Sequence, residues 1–136
     1  KRIFKGFALG LLAITAAASA FAQGALIVNA DNADSATAEK LNALLVGKNK
    51  FWDNGEAVVI AVLKDSPEAE ALLNTYAQMD ESRFKSHWQR LAFSGRGTMP
   101  KQFSDPAAVV AFVQVNKGAI GILGPGADLS SVKKVN

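Results

Sequence analysis

The sequence predicts an α/β domain with a mixed, mostly parallel sheet of about three to five strands and about four flanking helices. Short continuous apolar runs, which are typical of strands buried on both faces, alternate with segments whose apolar residues recur at helical spacing. Strands separated by helices favour a layered domain, because parallel strands need a crossover between them. The length of 136 residues, 49% of them hydrophobic, suffices for one domain with one core.

The first 22 residues have the three parts of a secretory signal. Three basic residues within the first five positions precede an apolar stretch, Gly6–Ala18, and the small-x-small site Ala20-Phe21-Ala22. The apolar stretch is shorter than the ~20 residues that span a bilayer. We therefore expect cleavage after Ala22, and a mature domain of residues 23–136 that does not span the membrane. Because the chain has no cysteine, an exported protein of this kind fits a bacterial periplasm.

The charge distribution argues against a nucleic-acid partner. The whole chain has 15 basic and 12 acidic residues, a formal net charge of +3. Three of the basic residues lie in the predicted leader, so residues 23–136 contain equal numbers of both signs. A domain without excess positive charge lacks the electrostatic attraction that phosphate-backbone binding requires.

The first strand and helix of the mature domain are predicted from an apolar run and its flanking signals. Residues 25–28 form the run, and a turn-rich segment follows them. Asp34 or Ser35 is then placed to cap a helix, and Gly47 is placed to end it. The apolar stripe of this helix consists of Ala38, Leu41, Leu44 and Leu45.

The strongest strand prediction is residues 57–63, which follow a tight turn at Asp53-Asn54-Gly55. Both faces of this strand are expected to be buried, because the run is continuously apolar. Asp65, Ser66 and Pro67 then begin a second helix, where the missing N–H of proline costs nothing. The expected buried stripe of this helix is Ala69, Leu72, Leu73 and Tyr76.

The second half of the chain predicts two more helices and two strands. A helix over residues 81–92 carries Phe84, Trp88 and Leu91 on one face, and residues 94–103 form a loop. Asp105-Pro106 begins the fourth helix. The inward residues of this helix are Val109, Phe112 and Val113, and Gly118 ends it. A strand at 119–123 and a short edge strand at 132–135 follow.

The residues with catalytic potential do not form a recognisable active site. His87 is the only histidine, and metal sites usually need two or more histidine or cysteine ligands. No G-x-S-x-G motif accompanies a Ser–His–acid combination. Glu68 and Glu70 are two residues apart on a predicted helix, so their side chains diverge. We therefore expect no enzymatic activity, no metal and no cofactor.

The loop Ser94 to Thr98 is the most suggestive local feature for binding an anion. It contains Ser94, Arg96 and Thr98 together with two glycines, so backbone amides, two hydroxyls and one guanidinium group lie within five residues. The glycines do not complete a dinucleotide or phosphate-loop fingerprint. The alternative interpretation is an ordinary turn.

A set of residues in a particular order resembles a known family. The set is Leu44-Leu45-Val46-Gly47-Lys48, Trp52-Asp53-Asn54-Gly55, Trp88, Phe93-Ser94-Gly95, Pro100 and Gly118-Ala119-Ile120-Gly121. It resembles the phosphate-type substrate-binding proteins of ABC transporters, which have the type II periplasmic binding protein fold, and in particular their short members. The resemblance covers nearly all of residues 25–135. It implies a single periplasmic-binding-protein-like lobe without enzymatic activity.

The resemblance also implies a ligand, a partner and a position for the site. The ligand would be phosphate or another small oxyanion, and the partner an ABC permease. In the full-length proteins the second-lobe site combines an arginine after a strand with a Ser-Gly-Thr turn. Lys64 and Ser66 stand at these positions here, whereas Pro67 and Glu68 replace the glycine and threonine, and Asp65 adds a negative charge.

Two hypotheses about function therefore remain open. In the first, the protein is a periplasmic solute-binding module, acting alone or as a homodimer that rebuilds the missing lobe. In the second, it retains the lobe without the ligand and serves as an accessory or interaction protein of the cell envelope. Phe51 and Trp52 would then be exposed contact residues, and the alternative is that they pack onto the sheet edge.

Overall fold

The computed structural model describes residues 24–34 and 36–136, and the predicted leader lies outside them. The described residues form five strands and four helices. The strands are β1 (Ala25–Asn29), β2 (Val59–Leu63), β3 (Lys101–Phe103), β4 (Ala119–Leu123) and β5 (Val132–Lys134). The helices are α1 (Ala38–Leu45), α2 (Pro67–Ala77), α3 (Glu81–Phe93) and α4 (Pro106–Val115).

The five strands form one mixed sheet in the order β3-β2-β4-β1-β5. β2 pairs in parallel with β3 and β4, whereas β1 pairs antiparallel with β4 and β5. Four strands thus run in one direction and β1 alone runs in the other. The predicted class, an α/β domain with a mixed, mostly parallel sheet and about four helices, is confirmed.

The core lies on both faces of the central strands. Every residue of β1 and β4 is buried, and successive side chains of a strand point to opposite faces. α4 contacts all five strands, and α2 contacts β1 and β4 while also packing against α1 and α3. Both faces of the sheet are therefore covered by helices, as the continuous apolar runs predicted.

The helix starts follow the capping signals with one exception. Ser66 caps α2 and Asp105 caps α4, each followed by proline at the first helical position, as predicted. The predicted cap of α1 is wrong. Thr37 caps it, and Asp34 instead accepts a hydrogen bond from the backbone N–H of Asp53 at 2.7 Å. The carboxylate of Asp34 thus fixes the following turn rather than the helix.

Two strand predictions need correction. The predicted strand 57–63 is two residues shorter, because Ala57 instead forms an antiparallel bridge with Phe51. As a result, Val58 and Val59 are only half-buried. The predicted loop 94–103 contains the edge strand β3, whose exposed side chains give no apolar pattern. It is a strand because its backbone pairs with β2.

The predicted helix stripes are correct in position and differ at their edges. In α2 the buried residues are Ala69, Leu73 and Ala77, with Leu72 and Tyr76 half-buried. In α4, Val110 is buried and Phe112 is half-buried. The ring of Phe112 packs against Phe103 of the edge strand, with ring centroids 5.6 Å apart.

Trp52 and Phe51 differ in burial although they are neighbours. Phe51 is 54% exposed, whereas Trp52 is only 3% exposed. The indole Nε1 of Trp52 donates a hydrogen bond to the carbonyl oxygen of Gly118 at 3.0 Å. For Trp52 the packing alternative is therefore correct and the exposed-contact alternative is wrong. This side chain connects the turn before β2 to the residue that precedes β4.

Candidate functional site

The turn between β2 and α2 contains the first pair of predicted anion-binding residues. Lys64 is exposed, and its backbone N–H donates to the carbonyl oxygen of Phe103 at 3.0 Å. Asp65 has a left-handed backbone with a φ of 57°, which lets the chain turn sharply into the helix. Ser66 is buried at the N-terminus of α2. The turn thus lies between the end of β2 and the N-terminus of α2.

The hydroxyl of Ser66 already has two partners. Its Oγ accepts a hydrogen bond from the N–H of Ala69 at 3.2 Å, which caps the helix. The same hydroxyl donates to the Oε1 atom of Glu68, 3.4 Å away. A bound anion would need this proton. The carboxylate of Glu68 therefore takes the hydrogen bond that an external anion would accept.

The surroundings of the Ser66 hydroxyl are crowded and acidic. A Cβ atom placed on Gly124, after β4, would lie 2.9 Å from Ser66 Oγ and 3.4 Å from Glu68 Oε1. Pro67 offers no N–H at the first position of the helix. Asp65 and Glu68 contribute two negative charges against the single positive charge of Lys64. These charges oppose an anion at a helix N-terminus that would otherwise favour one.

The loop Ser94 to Thr98 lies at the carboxyl end of α3. The backbone N–H groups of residues 94, 95 and 96 donate to carbonyl oxygens in the last turn of α3 at 2.8–3.1 Å. The hydroxyl of Ser94 donates to the carbonyl oxygen of Leu91 at 3.1 Å. The carboxyl end of a helix also carries partial negative charge. Among the side chains of this loop, the Arg96 guanidinium and the Thr98 hydroxyl have no hydrogen-bond partner within the described residues.

The structure does not bring the two predicted sites together. Lys64 and Ser66 follow the carboxyl end of β2, while the Ser94 to Thr98 loop lines a cavity beside the amino end of the same strand. Five strand residues separate these ends, a distance of roughly 15 Å. No single small anion can contact both.

The cavity beside this loop, which we call the amino-end pocket, has a volume of about 400 Å³. Three chain segments form it: residues 49–51, residues 57–60 and residues 95–99. Leu44 and Trp88 complete its lining. Sequence reasoning missed this pocket because its walls are distant along the chain. The only local signal was Arg96 in a glycine-containing loop.

His87 has a structural role. Its Nε2 lies 2.7 Å from the carbonyl oxygen of Val46, after α1, and its ring packs edge-on against Trp88. Because a carbonyl only accepts, Nε2 carries the proton of this bond. Within residues 24–34 and 36–136, no group of three histidine, cysteine or acidic side chains could hold a metal ion. In the same part of the chain, no helix has the length and apolarity to cross a membrane.

Comparison with known proteins supports the fold through a distant structural similarity. No family model and no curated protein matches the chain. A crystal structure from Clostridium perfringens, of a protein assigned as a phosphate ABC transporter substrate-binding protein with bound phosphate, is similar with a TM-score of 0.59 and 19% identity. The match covers 85% of this chain and 44% of that chain. The chain therefore has the fold of a single periplasmic-binding-protein-like lobe and spans less than half of that protein.

Proposed function

We propose that the protein is a periplasmic-binding-protein-like lobe that acts as an accessory or interaction protein of the cell envelope. The observation that carries this proposal is the hydrogen bond from Ser66 to the carboxylate of Glu68, because it occupies the hydroxyl that the family resemblance assigns to the anion. Pro67 and Asp65 support the same conclusion by removing an N–H donor and adding negative charge. The lobe would then act through contacts with another envelope component.

A second candidate function is the binding of phosphate or another small oxyanion for an ABC permease. The similarity to a phosphate-bound structure favours it. In this case Lys64 and Ser66 would contact the anion, and a homodimer would supply the opposing lobe. Ser66 would have to release Glu68, and Lys64 would act as a point charge without the two-pronged fit of an arginine.

Calorimetric titration of the purified protein with phosphate and sulfate separates the two candidates. We expect no saturable heat from the natural protein at millimolar anion. The double variant Pro67→Gly, Glu68→Thr restores the Ser-Gly-Thr turn, returns an N–H donor and removes the carboxylate. Regaining charged hydrogen bonds of this kind should strengthen phosphate binding by about tenfold or more.

The matched control is Pro106→Gly at the start of α4, where proline also follows a capping residue. This variant changes the same helix position without affecting Ser66 or Glu68, and we expect it to bind no phosphate. Saturable binding by the natural protein that is lost in Ser66→Ala would contradict the interaction proposal and establish the solute-binding candidate.

The proposal of an envelope protein also predicts export. The basic start, the apolar stretch and the Ala20-Phe21-Ala22 site imply that the mature chain begins at Gln23. Mass spectrometry of the periplasmic fraction should detect that amino terminus. Recovery of the protein in the membrane pellet with residues 1–22 attached would show that the segment is not a cleaved leader.

A further inference from the structure

The amino-end pocket is separate from the position at which the family binds its anion. It lies beside the amino ends of β2 and β3, whereas Lys64 and Ser66 follow the carboxyl end of β2. Its volume of about 400 Å³ is within the range of small-molecule sites, roughly 300–1,000 Å³. The pocket can therefore hold a ligand without involving the α2 turn.

The lining combines apolar walls with two cations. The large apolar residues that line it are Leu44, Phe51, Val58, Val59, Ile60, Trp88 and Met99. Among the described residues, Lys50 and Arg96 are the only charged ones that line it, and no carboxylate of that part of the chain does. In the part of the chain that the structure describes, neither cation forms an ion pair within 4.0 Å. Both positive charges are therefore free to pair with a ligand.

One wall of the pocket is held in place by close packing. Trp88 Nε1 donates to the carbonyl oxygen of Leu45 at 3.0 Å. A Cβ atom on Gly97 would lie 2.8 Å from Cζ3 of the indole, and one on Gly47 would lie 3.2 Å from Cη2. Two glycines from separate segments thus allow the backbone to approach the ring closely. A wall fixed in this way is preformed, which lowers the entropic cost of binding.

Phe51 supplies an apolar surface that the protein leaves uncovered. Its side chain lines the pocket and is 54% exposed, so a ligand that covered it would gain hydrophobic stabilisation. A compact, strongly hydrated anion such as phosphate gains nothing from such a wall and loses hydration against it. The backbone N–H groups of residues 94, 95 and 96 are already bonded to α3, so these three amides are not available to a phosphate.

We infer that the amino-end pocket binds a small amphipathic carboxylate, such as a medium-chain fatty acid. The apolar body of the ligand lies against Phe51, Val58 and Val59, and its carboxylate pairs with Arg96 and Lys50. Val58 and Val59 are half-buried and can contact a ligand, because β2 begins only at Val59 and the residues before it lie outside the sheet. This activity is independent of the proposed function at the α2 turn.

Titration with four probes tests this inference on the purified protein. The probes are decanoate below its micellar concentration, decanol, decyltrimethylammonium and inorganic phosphate. We expect saturable heat with decanoate and binding weaker by about ten- to a hundredfold with decanol, which lacks the charge. We expect no binding of the cation or of phosphate at this pocket. In amide NMR spectra, decanoate should shift residues 50–51 and 95–99 and leave residues 64–68 unchanged.

Paired variants keep the test specific. Arg96→Gln and Lys50→Gln should each weaken decanoate binding by about tenfold or more, because each removes one charged partner. Arg90→Gln, on the exposed surface of α3 and outside the pocket lining, is the matched control and should leave the affinity unchanged. Equal loss with Arg90→Gln, equal binding of the cationic probe, or no binding of decanoate would overturn the inference. Phosphate shifts at residues 64–68 would bear only on the proposed function.

Discussion

Replacing Ile60 with aspartate should unfold the domain. Ile60 is 4% exposed and lies in β2 between two paired strands, opposite Ile120 of β4. At 4% exposure a carboxylate at this position is buried among apolar side chains, so burial of the charge costs several kcal/mol. That cost is comparable with the whole stability of an ordinary domain, about 5–15 kcal/mol. Thermal unfolding followed by circular dichroism measures the effect.

The control for this prediction is Val115→Asp. Val115 is 77% exposed at the end of α4, so the same type of substitution there leaves the carboxylate in water. We expect its melting temperature to stay within a few degrees of that of the natural protein. A soluble Ile60→Asp protein with an unchanged melting temperature would show that β2 is not a buried central strand.

The second large effect is expected from Gly118→Ala. A Cβ atom on Gly118 would lie 1.9 Å from the carbonyl oxygen of Ala57, so backbone must move to accommodate it. The carbonyl oxygen of Gly118 also accepts hydrogen bonds from Trp52 Nε1 at 3.0 Å and from the N–H of Val59 at 3.2 Å. Overpacking together with distortion of these bonds should destabilise the protein by about 3 kcal/mol. Urea unfolding gives the difference in free energy.

Gly55→Ala is the matched comparison. Gly55 has a left-handed backbone with a φ of 89°, and no atom lies within 4 Å of a Cβ placed there. This variant therefore isolates backbone strain, which costs about 1–2 kcal/mol. Gly118→Ala should be clearly the more destabilising of the two. If Gly55→Ala is instead the more destabilising variant, the close approach of Gly118 to Ala57 is not the reason that position 118 needs glycine.

The residues that carry the family resemblance are largely packing residues. Gly47 approaches the ring of Trp88, and Trp52 is hydrogen-bonded to Gly118. Each of these contacts holds two distant segments together, and none of them involves the turn at Lys64 and Ser66. The residues that carry the resemblance therefore account for the fold of the lobe. The residues at the positions that would contact an anion differ from those of the family. Similarity of fold therefore does not by itself require that the protein binds phosphate.

The features that depend on local interactions can be predicted from the amino-acid sequence alone. Continuous apolar runs placed the buried strands β1 and β4, because a strand covered on both faces has no polar face to interrupt the run. Ser66 and Asp105, each followed by proline, placed the starts of α2 and α4, because capping and the fixed φ of proline act within one turn. The positions of Lys64 and Ser66 after β2 likewise follow from the sequence, whereas their role as anion-binding residues stays a prediction.

The features that depend on partners distant in the sequence are seen only in the tertiary structure. β3 is a strand because β2 offers backbone groups for pairing, and Trp52 is buried because the carbonyl of Gly118 lies beside it. The donors of both predicted anion sites were visible in the sequence, but their partners were not. Ser66 turned out to bind Glu68, and the Ser94 loop to cap α3. A hydrogen-bond donor signals a site only when folding leaves it free, and folding decides that through contacts between separate segments.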